Sequence, residues 1–63
     1  MKETVIKALK AGNISRIKRN ADNRANVDIF IFNPVYLDHT TVTIPLQDYR
    51  DLYLSVTGRT CMF

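Results

Sequence analysis

The chain has 63 residues, a formal net charge of +3 and one cysteine, Cys61. A domain this small usually depends on disulfides, a metal ion or self-association for its stability. One cysteine cannot form an internal disulfide, and one cysteine with one histidine cannot supply a four-ligand zinc site. We therefore expect a single domain over residues 1–63, without a metal or cofactor, that forms a homo-oligomer or binds a partner.

Charge is distributed unevenly along the sequence. Residues 1–25 carry seven basic and two acidic side chains, whereas residues 26–63 carry two basic and four acidic ones. Such asymmetry favours a basic surface for a polyanion or an acidic partner, or attraction between subunits. The sequence contains no apolar run as long as a membrane span and no signal-peptide core at its N-terminus, which predicts a cytoplasmic protein without membrane attachment.

In chain order, the first predicted element is a short amphipathic helix over residues 3–11. Val5, Ile6 and Leu9 recur there at helical spacing, and the lysines fall toward the opposite side. The Gly-Asn pair at residues 12–13 is a typical helix stop.

Residues 14–21 fit two interpretations. Ile14 and Ile17 have helical spacing, whereas Arg16 and Lys18 alternate as in a strand. The turn-forming residues that follow favour a strand, a loop and a hairpin into the next strand. The alternative is a helix-turn-helix whose second helix covers residues 14–21.

Residues 27–32 predict a strand that is apolar on both faces. Val27, Ile29 and Ile31 share one face, and Phe30 and Phe32 lie on the other. A chain of this length can cover one face with its helices, so the second face is expected to meet a twofold mate or a target.

In the rest of the chain, prolines mark the boundaries of the predicted elements. Asn33-Pro34 ends the second strand, and the apolar residues 35–39 are expected to form a loop that packs down onto the domain. Residues 40–44 alternate, with Val42 and Ile44 inward and threonines outward, which predicts a third, half-buried strand.

A final helix is predicted from Pro45 to a stop at Gly58. Its apolar stripe leaves out Leu54 and comprises Leu46, Tyr49, Leu52, Tyr53 and Val56. Met62 and Phe63, at the end of the chain, are expected to enter the core or dock on a neighbour. The predicted fold is α+β, with a short N-terminal helix, a three-stranded antiparallel sheet and a C-terminal helix.

Candidate catalytic and metal-binding groups are sparse. His39 is the only histidine, and no nucleophile motif accompanies it. Asp48 and Asp51 share a helix face, but acids in a first helical turn commonly complement the helix dipole. Cys61 has no activating neighbour other than Arg59. These observations predict a non-enzymatic protein with no catalytic or metal site.

The candidate site is a surface that binds a partner. Its residues are expected to be Arg16, Lys18, Arg19 and Arg24 for electrostatic docking, and Phe30, Phe32 and Tyr36 for apolar anchoring. The same basic set could instead neutralise nucleic-acid phosphates, bind a phosphorylated small ligand at a subunit junction, or simply be solvated. Stacking of single-stranded bases is disfavoured, because no aromatic residue is interleaved with the basic residues among residues 1–29.

The stretch TVTIPLQDYRDL at residues 41–52 resembles the strand, Ile-Pro and helix-start pattern of small accessory proteins of tailed bacteriophages. This resemblance implies a compact host-takeover or anti-defence protein that binds and blocks a bacterial host protein. The expected function is therefore that of an interaction protein that occludes a macromolecular target, with a small nucleic-acid-binding regulator as the alternative.

Overall fold

The computed structural model describes residues 2–61. The elements are α1 (Lys2–Ala11), β1 (Ile14–Arg19), β2 (Asn26–Asn33), β3 (Asp38–Pro45) and α2 (Leu46–Thr57). The three strands form one antiparallel sheet in the order β1-β2-β3, so β2 is central and the other two are edges. The predicted α+β fold is confirmed.

The ambiguous residues after α1 form strand β1, which excludes the helix-turn-helix alternative. The register shifts between Ile14 and Arg16, as at a β-bulge, so that Ile14 lies opposite Ile31 and Ile17 lies opposite Ile29. Both β1 isoleucines therefore face the same side of the sheet although they are three residues apart. The bulge explains why this strand has the apolar spacing of a helix.

The core lies between the sheet and the two helices, which cover the same face. Ile29 and Val27 of β2 are fully buried, and Ile31 beside them is nearly so. Val5 of α1 is also fully buried, and Tyr49 of α2 is 3% exposed. The remaining buried residues are Ala8, Val42, Ile44 and Leu46. Burial, followed by the proximity of Cys61 and Tyr53, raises the pKa of Tyr49 to about 12.

Helix α2 begins and ends as its sequence predicts. Pro45 precedes it with φ −57°, and Gly58 ends it in the left-handed region with φ 71°. The Gly58 N–H donates to the Leu54 carbonyl oxygen at 2.9 Å, and Leu54 is exposed as expected. An exposed ion pair of 3.1 Å between Lys2 Nζ and Asp48 Oδ2 connects the two helices.

The β1–β2 connection is held by asparagine side chains. Asn20 Oδ1 accepts from the N–H groups of Asp22 and Asn23, both at 2.9 Å, and Asn23 Oδ1 accepts from the Ala25 N–H. The Leu46 N–H donates to the Ala25 carbonyl oxygen at 2.8 Å, so the loop is also attached to the start of α2. This end of the sheet has a defined shape despite its lack of regular structure.

The expectation that residues 35–39 pack down onto the domain is wrong. Val35, Tyr36 and Leu37 are 79%, 76% and 77% exposed. The β2–β3 ladder continues to the pair Asn33 and Asp38, which leaves only four residues to make the turn beyond the end of the sheet. The described part of the chain ends at residue 61, so the predictions for Met62 and Phe63 lie outside it.

Candidate functional site

Within residues 2–61, neither helix covers one face of the sheet, and we call it the open face. It is formed by the outward positions of all three strands. Its residues are Arg16 and Lys18 of β1, Asp28, Phe30 and Phe32 of β2, and His39, Thr41 and Thr43 of β3. Both phenylalanines are half-buried, whereas the side chains on the two edge strands are exposed. The helices thus leave uncovered the face for which the sequence predicts a partner.

Phe30 lies between cationic and polar neighbours. Arg16 is directly opposite it on β1 and Thr41 is opposite it on β3. Lys18 Nζ lies 5.7 Å from the centroid of the Phe30 ring, a cation–π distance. Aromatic and basic side chains therefore lie beside each other on neighbouring strands, although they are far apart in the sequence.

Phe32 pairs with His39 across β2 and β3. Their ring centroids are 5.3 Å apart and the rings are inclined by 58°. This tilted arrangement is a favourable one for aromatic pairs and gives His39 a packing role. The pair forms the end of the open face that is nearest to the β2–β3 turn.

Asp28 is the one acidic residue of the open face as defined here. Asn20 Nδ2 and Thr43 Oγ1 both donate to its Oδ1 at 2.8 Å. These hydrogen bonds, Asn20 first and Thr43 second, lower the pKa of the carboxyl group, and the positive charge of Lys18 adds to the effect. The carboxylate thus connects the end of β1 with β3 and partly offsets the positive charge at this end of the face.

The β2–β3 turn presents three consecutive large apolar side chains, Val35, Tyr36 and Leu37, which we call the hairpin tip. Asn33 Oδ1 accepts from the N–H groups of Val35 and Tyr36 at 2.9 and 3.3 Å, and Leu37 adopts φ 55°. The tip therefore has a defined turn conformation. Beside it, a groove of ≈ 380 Å³ separates the hairpin from α1 and is lined in part by Ala8, Ala11, Ile31 and Val35.

The structure brings together only part of the residue set predicted for the site. Arg16, Lys18, Phe30 and Phe32 share the open face. Arg19 lies opposite Val27, on the side of the sheet that the helices cover, and its Nη1 donates to the Arg24 carbonyl oxygen at 2.6 Å. Tyr36 lies at the opposite end of the sheet from Arg24. The four basic residues are therefore two separate pairs.

Sequence reasoning missed several residues that belong to this surface. Val35 and Leu37 were expected to pack down, and His39 was expected in a loop. Thr41 and Thr43 were predicted to point outward, but their place beside Phe30 and Asp28 depends on the strand register. The available signal was the pair of turn-favouring residues Asn33 and Asp38 flanking four residues, a spacing typical of a short hairpin turn.

A metal site and a membrane span are two other features by which residues 2–61 could indicate a function. No group of three or more histidine, cysteine or acidic side chains is arranged to hold a metal ion there. Neither described helix has the length and hydropathy needed to cross a membrane. Comparisons with known proteins add no relative, because no family model, curated protein or solved structure matches this chain.

Proposed function

We propose that this protein is a non-enzymatic interaction module that binds a protein target through the open face and the hairpin tip, and thereby blocks the surface it covers. The observation that carries the proposal is the hairpin tip. Three large apolar side chains that are adjacent in the sequence, each more than three-quarters exposed, lie in the turn between Phe32 and His39. Contiguous exposed apolar residues of this kind are typical of interaction sites.

The chemistry along this surface supports a protein as the target. Aliphatic side chains at the tip and the ring of Tyr36 are suited to apolar pockets, and buried aromatic anchors dominate the energetics of many interfaces. Arg16 and Lys18 lie at the side of the aromatic residues and favour a target with an acidic rim. The defined turn conformation of the tip reduces the entropy that is lost on binding.

The resemblance of residues 41–52 to phage accessory proteins makes a bacterial host protein the first class of target to test. A blocking mechanism needs no chemistry from the module itself. It needs a surface large enough to exclude the natural ligand of the target, and the face and tip together extend along the length of the sheet.

A second candidate function is the binding of single-stranded nucleic acid. It is supported by the position of Lys18 over Phe30 and of Arg16 beside it, because sheets that bind single strands combine stacking rings with basic side chains. The sequence disfavours it only through neighbours along the chain, because no aromatic residue is interleaved with the basic residues among residues 1–29. In the structure, Arg16 and Lys18 lie beside Phe30 on the neighbouring strand, which gives the basic side chains an aromatic partner.

The test of the leading proposal is affinity capture from a bacterial lysate with matched variants. The wild type is compared with Arg16→Glu/Lys18→Glu, with Tyr36→Ser/Leu37→Ser, and with the control Lys10→Glu/Arg59→Glu, which reverses two charges away from the open face. We expect one dominant protein with the wild type and the control, and its loss with both other variants. Retention of that protein by both surface variants would show that the chosen surface is wrong.

Fluorescence anisotropy with labelled single-stranded oligonucleotides tests the second candidate. Binding that weakens steeply between low and moderate salt, and that is lost in Arg16→Glu/Lys18→Glu, would favour nucleic acid. Absence of binding at low salt removes this candidate and leaves the protein target in place.

A further inference from the structure

In the part of the chain that the structure describes, no strand lies beside the outer edge of β3. Among residues 2–61, β3 pairs only with β2. No backbone hydrogen bond from a turn, a loop or a helix cap reaches β3 there. Thr41 and Thr43 on the open face are exposed, and so is Thr40, which points to the helix side. Neither helix therefore shields this part of the edge.

The two edges of the sheet differ in how they are protected against pairing. β1 has six residues, an irregular register and three cationic side chains, which are features that prevent edge-to-edge association. β3 has eight residues in unbroken register with β2, and its only proline is the last residue. Its central residues 40–44 are uncharged and all β-branched, which favours strand pairing.

We propose that the β3 edge pairs with the β3 edge of a second copy of this chain, antiparallel and about a twofold axis, to give a continuous six-stranded sheet. A twofold interface must be self-complementary, and an uncharged strand centre meets this condition because no like charges face each other there. The dimer satisfies backbone groups along an edge that is otherwise solvated, and it adds burial to a domain of only 63 residues.

The register of the pair follows from two constraints. Residues opposite each other in antiparallel strands must lie on the same face, which requires a twofold axis at a residue and not between two residues. An axis at Thr41 pairs residues 38–44 of one copy with residues 44–38 of the other. This register leaves out Pro45, which has no N–H to donate. An axis at Val42 would bring Pro45 into the ladder. Thr41 is therefore placed opposite Thr41 of the second copy.

This dimer would bring two open faces into one surface. In a continuous sheet, both pairs of helices lie on one side and both sets of phenylalanines lie on the other. The proposal rests on the β3 edge and does not depend on the nature of the target. If the proposed function also holds, each dimer presents two binding surfaces, which raises the avidity for a target that is itself dimeric.

Sedimentation equilibrium on the full chain from micromolar to millimolar concentration tests the pairing. We expect a reversible dimer for the wild type and at least tenfold weaker association for Thr41→Lys, which brings two like charges to the axis. The control Ser15→Lys adds the same charge to the β1 edge and should leave the dimer unchanged. A wild type that remains monomeric at millimolar concentration overturns the proposal, and so does a dimer that Thr41→Lys does not weaken.

Disulfide trapping provides a second test that does not depend on the stability of the lysine variant. In a Cys61→Ser background, Thr41→Cys should form a covalent dimer rapidly on oxidation, because directly opposite strand residues lie within the Cα separations that disulfides span. Ser15→Cys in the same background should crosslink slowly. Equal rates for the two variants would contradict edge pairing, whatever the result of target capture.

Discussion

The two faces of β2 show how a small domain divides its hydrophobic residues. On one face, Val27 and Ile29 are fully buried beneath both helices. On the other face, Phe30 and Phe32 are only half-buried, by neighbours within the sheet. The covered face holds the fold together, whereas the open face remains accessible. A residue can therefore be large and apolar in the centre of this sheet without belonging to the core.

The largest expected difference between the two faces is in how much their residues contribute to the stability of the fold. Ile29→Ala removes side-chain volume from the centre of the core and should cost about 3 kcal/mol of unfolding free energy, within the range of ~2–5 kcal/mol for such truncations. Phe30→Ala should cost about 1 kcal/mol, because only part of the ring is buried. Urea unfolding followed by circular dichroism measures both. A larger cost for Phe30→Ala than for Ile29→Ala would contradict the division of the two faces.

A substitution at the hairpin tip should have a smaller effect on the stability, and it should raise it. Leu37 has φ 55°, a conformation that costs a side chain with a Cβ roughly 1–2 kcal/mol, and its side chain is 77% exposed. After allowance for the greater freedom of glycine in the unfolded chain, Leu37→Gly should stabilise the protein by about 0.5 kcal/mol. Thermal unfolding tests this gain. A decrease in the melting temperature would mean that the Leu37 side chain contributes to packing.

The same variant separates stability from binding. Loss of an apolar anchor should weaken target capture by Leu37→Gly although the fold becomes more stable. Capture equal to that of the wild type would indicate that Leu37 does not contact the target, and Val35→Ser and Tyr36→Ser would then test the two other side chains of the tip.

The smallest expected effect is the dependence of the folding stability on acidic pH, through the carboxyl group of Asp28. Its pKa is lowered in the folded state, so the stabilisation is present above the unfolded-state value near 3.8 and is lost as the pH falls through the lower folded-state pKa. An NMR titration of the side-chain carboxyl carbon should show this depressed pKa, and Thr43→Val should raise it toward the ordinary value. A pKa at or above 3.8 in the wild type would contradict the hydrogen-bonding arrangement.

The alternation of apolar and polar residues, together with the positions of proline and glycine, was sufficient to predict most of the fold. Local patterns in the sequence predict three features that are present in the structure. They are the two apolar faces of β2, the threonine-rich third strand and the helix between Pro45 and Gly58. The strand at residues 14–19 was ambiguous for a physical reason. A β-bulge changes the spacing of core residues from two to three, and such a shift imitates a helix.

The candidate site was predictable only in part, because it depends on which residues become neighbours across strands. Arg16 and Phe30 are separated by fourteen positions and are opposite each other in the sheet. The tip was assigned to the interior because apolar residues are usually buried, yet the ladder from Asn33 to Asp38 confines them to a short turn beyond the end of the sheet, where they are exposed. Register and turn length decide both features, and neither follows from hydropathy alone.

The accessibility of the open face is tested most directly by a solvent paramagnetic relaxation measurement on the free protein with a soluble gadolinium chelate. We expect strong enhancement for the methyl groups of Thr41 and Thr43 and measurable enhancement for the rings of Phe30 and Phe32. The methyl groups of Ile29 should show almost none. Equal protection of Phe30, Phe32 and Ile29 would show that both faces of the sheet are covered, and would contradict the open face as the binding surface.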